Sequence, residues 1–239
     1  DTLSLHDALP ILNAICLIIR TPRDIWCNFL NNFKNYKIYM MVDDNKFDMF
    51  NFINKYKNIN FIQIDNNKCK HAGYTNTNHT INNLNGWDKA LYYFSTINID
   101  HKYIWFVEDD VFFYNERTLL SIDIQYPYDD LLSNCYGENP NGNKSYWHWP
   151  RIQIKEWSPP YYNGMMCIVR FGRPMLNCIN EYATKHKTLF FLEAMFPTIA
   201  IKNNLRYSNP IEFIDIDYAK IFYKNDITKN KLLDRKSVV

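Results

Sequence analysis

Glu108, Asp109 and Asp110 stand together inside an otherwise apolar stretch, Tyr103–Tyr114 (YIWFVEDDVFFY). Tyr103–Val107 is a run of aromatic and β-branched residues and reads as a strand buried on both faces. Val111–Phe113 turns apolar again. Three adjacent carboxylates in such a run are costly to bury without positive charge beside them. A divalent cation meets that need. Mg2+ and Mn2+ prefer hard oxygen ligands, take one or two carboxylates and leave other positions to substrate phosphates. Glu108 and Asp110 are the candidate metal ligands, with Mn2+ or Mg2+ as cofactor. A second lone charge falls in Leu189–Ala200 (LFFLEAMFPTIA), where Glu193 is the single ionisable residue. A carboxyl in apolar surroundings is expected to titrate near the range a general base needs.

The acidic triplet closing a hydrophobic strand and followed by a second short apolar run resembles the DXD-type motif of GT-A glycosyltransferases, in an EDD variant. The resemblance implies an α/β fold, GT-A-like and Rossmann-like, with a mostly parallel central sheet flanked by helices. It implies transfer of a sugar from a UDP- or GDP-sugar to a hydroxyl on a glycan or protein. It also implies that Glu108 and Asp109 meet the nucleotide-sugar. Glu193 would be the catalytic base of an inverting reaction, and a retaining course stays open. GT-A enzymes often add a histidine metal ligand near their C-terminus, and none follows His186 here.

The elements that would position these groups are legible in order. Ala14–Ile19 reads as a first buried strand, Tyr36–Val42 as a second and Ile59–Ile64 as a third, with helices predicted over Ile25–Phe33 and Phe47–Tyr56. Ligands of open α/β sheets bind beyond the carboxyl ends of strands. Arg20 and Arg23, after the first strand, are thus placed to meet phosphates, and Thr21 a base or ribose. By the same resemblance, Asp43 or Asp44 would accept a hydrogen bond from the nucleoside. Asn66–Asn85 reads as a long irregular loop, in which Cys69, His71 and His79 match no metal spacing. Gly86–Ile97 predicts a helix with Trp87, Ala90, Leu91 and Phe94 on one face. In the GT-A pattern its first turn touches the donor, which makes Trp87 and Lys89 donor-side candidates, Lys89 for phosphate.

The second half resembles the acceptor-side half of GT-A domains. A strand is predicted at Leu131–Cys135, then a loop over Gly137–Trp157 whose Trp147 and Trp149 could stack on the apolar faces of sugar rings. Asn163 and Gly164 lead into a strand at Met165–Val169. Asn163 offers hydrogen bonds to hydroxyls, and Gly164 permits close backbone approach. A helix follows from about Met175 to His186, and Phe213–Asp217 reads as a late strand.

Composition narrows the class. Of 239 residues, 47% are hydrophobic and 17% aromatic, enough for one sizeable core. The net charge of +2 is too mild to point to nucleic acid. Six cysteines form no CxxC pair, which weighs against zinc and thioredoxin-like chemistry. Residues 1–11 and 234–239 resemble a translated sequencing adapter, so residues 12–233 are expected to form a single domain cut at both ends. Compartment and any membrane anchor stay open. Two other classes compete. A nucleotidyltransferase would share the sheet but expects a glycine-rich phosphate loop after the first strand, where Arg20-Thr21-Pro22-Arg23 stands. A non-catalytic carbohydrate-binding protein would rest on the aromatic loop alone.

Overall fold

The computed structural model describes residues 13–78, 84–214 and 216, and the backbone of 232–234. In chain order the elements are β1 (Asn13–Ile19), α1 (Asp24–Leu30), β2 (Lys37–Val42), α2 (Phe50–Lys55), β3 (Ile59–Ile62), α3 (Asn66–Ala72), α4 (Gly86–Tyr92), β4 (Tyr103–Glu108), β5 (Val111–Phe113), α5 (Glu116–Gln125), β6 (Leu131–Asn139), β7 (Tyr161–Gly172), α6 (Arg173–His186), α7 (Leu192–Lys202), β8 (Tyr207–Ser208) and β9 (Leu232–Asp234). The main sheet has the order β3-β2-β1-β4-β7-β6-β8. Six of its strands run in one direction and β7 runs against them. This is the α/β, Rossmann-like architecture with a mostly parallel sheet that the sequence predicted. A small antiparallel pair joins β5 to β9.

The strands are apolar throughout because both faces of the sheet are covered. Along β1, Ala14, Cys16 and Ile18 enter one core, while Ile15, Leu17 and Ile19 enter the other. Ile104 and Phe106 of β4 side with the first set, Trp105 and Val107 with the second. Helices α4, α6 and α7 cover the first face, and α1 and α5 the second. The predicted apolar face of α4 is the observed one, with Trp87, Ala90, Leu91 and Phe94 all buried. A π-helical turn, Tyr93–Ile97, prolongs it.

Three sequence expectations need correction. Residues 66–72, expected to be irregular, form α3. Asp65 caps it by accepting from the N–H groups of Asn67 and Lys68 at 2.9 and 3.0 Å, and Gly73 ends it at φ 91°. The helix buries only Cys69, so its signal lay in the caps and not in hydrophobic periodicity. The loop expected from Gly137 starts later, because β6 continues to Asn139 against β7. The late strand at Phe213–Asp217 is instead a 3-10 turn, Ile211–Phe213, entered from Pro210; its Phe213 ring packs 6.0 Å from that of Trp105. Residues 215 and 217, and His79, lie outside the described residues.

One buried ion pair ties the sheet to α5. Arg170 of β7 is fully buried and donates to Asp123 at 2.8 Å, and also to the carbonyl of Asp129 at 3.1 Å. Asp123 further accepts from Tyr36 at 2.6 Å and Trp105 at 3.2 Å. No described helix is long and apolar enough to cross a membrane.

Candidate active site

The chain leaves β1 on one side towards β2 and β3, then returns to place β4 on the other side. The crevice beyond the carboxyl end of β1 is therefore a topological switch point, where such sheets bind ligands. Register brings the candidates to it. Ile18 of β1 lies opposite Glu108, and the β1–β2 ladder continues past both strands through Asp43 N–H to Ile19 C=O at 2.9 Å and Asp44 N–H to Arg20 C=O at 3.0 Å. The result is a cavity of about 230 Å3 lined by Arg20, Asp43, Trp87, Glu108, Asp109 and Asp110.

Helix α4 holds this cavity in shape. Its start is fixed by a capping box between Asn85 and Asp88. Gly86 allows the close approach of β1, since a Cβ there would lie 2.6 Å from Ile18 Cγ2 and would force that side chain to shift. Trp87 stacks on Phe106 at 5.9 Å and donates its indole N–H to Glu108 at 2.8 Å. It is thus a core residue with a polar handle that orients an acidic group. Lys89 faces inward: its side chain is 2% exposed, and the ammonium pairs with the Asp43 carboxylate at 2.8 Å, the Asp43 carbonyl and Asn45.

The three carboxylates differ in company. Asp109 pairs with Arg23, and its carbonyl takes the Trp26 indole N–H at 3.0 Å. Glu108 is held by Trp87, and Asp110 keeps one carboxylate oxygen buried. Among the described residues no three His, Cys, Asp or Glu side chains form a metal-binding set. A cation of the Mg2+ type needs only one or two protein carboxylates, and Glu108 and Asp110 on one cavity fit that demand.

Trp87 and Glu108 also line a second, larger cavity of about 810 Å3. Glu193, half-buried in the first turn of α7, lines the same space, with Trp147, His148 and Tyr136. The fold thus brings the acidic end of β4 and Glu193 to one chamber across 85 residues of sequence. Trp147 packs against Phe191, the residue before α7, at 5.5 Å and against Trp149 at 5.0 Å. Trp149 is mostly buried and stacks on Tyr161. Asn163 lies opposite Gly137 in the β6–β7 ladder, and Gly164 opposite Cys135. The backbone that approaches Gly164 closely is β6: a Cβ there would lie 2.3 Å from the Asn134 carbonyl oxygen.

Of the residues of this chamber that the sequence did not single out as candidates, His148 and Tyr136 offer polar chemistry. His148 carried a signal in its position between two tryptophans. Tyr136 carried none, since its exposure follows from the unforeseen extension of β6.

No family model matches the chain, and a search of curated proteins finds no match. Solved structures do resemble it. One is 4-diphosphocytidyl-2C-methyl-D-erythritol synthase from Anaerococcus prevotii, at 9% identity and TM-score 0.46, covering 82% of this chain and 86% of that one. Another is CMP:2-keto-3-deoxy-manno-octonic acid synthetase complexed with CTP, at 10% identity and TM-score 0.44, covering 83% and 89%. A third is the galactosyltransferase LgtC in complex with donor and acceptor sugar analogs, at 10% identity and TM-score 0.46, covering 90% of this chain and 76% of that one. At these identities the neighbours' chemistry does not transfer, and function rests on this site's own residues.

Proposed function

We propose that this chain is a metal-dependent glycosyltransferase that moves a sugar from a UDP- or GDP-sugar to a hydroxyl acceptor. The observation that carries this reading is the shared wall: Glu108 belongs both to the acidic cavity at the switch point and to the chamber that holds Glu193. A nucleoside diphosphate at the switch point would face Glu108, Asp109 and Asp110. Arg23 offsets one of those charges. Two remain, and like charges repel a diphosphate unless a cation lies between.

Glu108 and Asp110 would hold Mn2+ or Mg2+, which when bound stabilises charge developing on the leaving diphosphate. Arg20, exposed at the end of β1, reaches the phosphates. Asp43, fixed by Lys89, and Asp44 accept from the base or ribose, and Thr21 is a further candidate for that contact. Trp87 keeps Glu108 in place. In the chamber, Glu193 takes the proton of the acceptor hydroxyl as its oxygen bonds to the anomeric carbon. The bond from that carbon to the diphosphate oxygen breaks, and the diphosphate leaves with the electron pair. Attack opposite the leaving group inverts the anomeric centre.

Calorimetric titration of UDP and GDP, with and without Mn2+, on wild type and Asp110→Ala tests the reading. Manganese-dependent binding of one of them, abolished in the variant, is expected. Binding indifferent to both metal and variant would overturn it.

A further inference from the structure

The groove from Glu193 does not stop at the aromatic loop. Tyr136 and Trp147 wall the large chamber on one side and, on the other, a further cavity of about 540 Å3 over the β6–β7 edge. Asn163 lines this outer cavity and is 7% exposed. Its amide lies flat over Gly137, where a Cβ would fall 2.2 Å from the Asn163 Oδ1. The side chain borders the cavity, where its two donors and its acceptor can meet a ligand or water.

The walls supply the rest of the chemistry. Trp147, Trp149 and Tyr146 bring aromatic surface to the cavity. Trp147 holds a positive φ of 57°, an uncommon conformation for a bulky residue. The charges at the rim balance: Lys144, whose ammonium lies 5.2 Å from the Tyr146 ring centre, stands against Glu138. A surface with flat apolar faces, one amide side chain and no net charge suits a neutral ring that is apolar on its faces and hydroxyl-bearing at its edge. It suits neither a phosphate nor an acidic peptide.

We propose that this outer cavity is a subsite for a second sugar ring of the acceptor. The acceptor is then a glycan of at least two residues, and not a protein side chain. One ring sits beside Glu193, and the next passes Tyr136 and Trp147 to lie over Asn163. This deepens the transferase reading and rests on it.

The test is binding of the labelled protein to an array of mono- to tetrasaccharides, beside the UDP and GDP titrations with Mn2+. Wild type should retain a set of glycans of two or more residues at least about ten-fold more strongly than the matching monosaccharides. Asn163→Ala and Tyr146→Ala should each weaken that retention about ten-fold, with nucleotide binding unchanged. Tyr146 is 62% exposed, so Tyr146→Ala decides the question if Asn163→Ala melts early. Equal retention of monosaccharides, retention untouched by both variants, or no glycan retained by protein that binds nucleotide would each overturn the subsite. Selective glycan retention without nucleotide binding would support the subsite and sink the transferase reading.

Discussion

Removing either partner of the Lys89–Asp43 pair should destabilise the protein very unequally, with the more exposed partner the costlier to lose. The Lys89 side chain is 2% exposed and that of Asp43 34%. In Asp43→Ala the ammonium stays buried with only neutral acceptors, the backbone carbonyl at 43 and Asn45. Breaking a buried pair in this way costs about 3–5 kcal/mol. The remaining acceptors put this case near the lower end, about 3 kcal/mol. In Lys89→Met the buried charge itself is gone, a side chain of similar length fills the space, and the Asp43 carboxylate turns to water. That loss resembles an exposed pair, about 1 kcal/mol. Urea unfolding at pH 7 reads both values from the shift in midpoint at constant m. The double variant should cost less than the two single losses added together. Lys89→Met as damaging as Asp43→Ala would refute the reasoning, since the cost would then lie in packing and not in a stranded charge. The same variants bear on function. If Lys89 acts by holding Asp43, both should weaken nucleotide binding together, and the double variant should weaken it no further.

Other consequences are separable. Glu193→Gln should lower transfer by about 10²–10⁴-fold while leaving UDP or GDP affinity unchanged, as expected of a base that touches only the acceptor; a matching loss of affinity would remove Glu193 from that role. Gly164→Ala should cost about 1–3 kcal/mol by overpacking, because the new Cβ meets β6 backbone at Asn134 and Cys135, which cannot yield as a side chain would; an unchanged urea midpoint would contradict the tight β6–β7 register. Burial pushes the Asp88 carboxyl up to about 7, against the pull of N–H groups from Asn85 and Thr77. Its folded pKa lies above the unfolded value, so the native state holds the extra proton. The contribution of Asp88 is complete below about pH 4 and lost as pH rises through about 7. Urea midpoints measured across that window should fall less steeply with pH in Asp88→Asn than in wild type, and parallel slopes would exclude Asp88 as the source.

Much of the scaffold could be read directly. Ala14–Ile19 and Tyr103–Val107 are continuous apolar runs because both faces of their sheet are buried, and a continuous run is visible without knowing its neighbours. Helix α4 announced itself through the spacing of Trp87, Ala90, Leu91 and Phe94. Helix α3 did not, because it buries one side chain and is held by Asp65 and Gly73. Phe213–Asp217 alternated like a strand, yet the step from Pro210 and the docking of Phe213 on Trp105 go with a 3-10 turn at Ile211–Phe213.

Residue chemistry alone singled out the candidate groups: a carboxylate triplet closing an apolar strand, a lone Glu193 in an apolar helix, and tryptophans on a polar loop. These follow from the cost of placing charge in apolar surroundings, which is local. Tertiary structure decided who meets whom. It turned Lys89 inward to Asp43, gave Asp109 to Arg23, and set Trp87 under Glu108. It also joined Glu108 to Glu193 in one chamber and opened an outer cavity over Asn163. Those pairings depend on strand order and register, where β4 returns beside β1 and β7 reverses. No local pattern encodes a contact made only when the sheet closes.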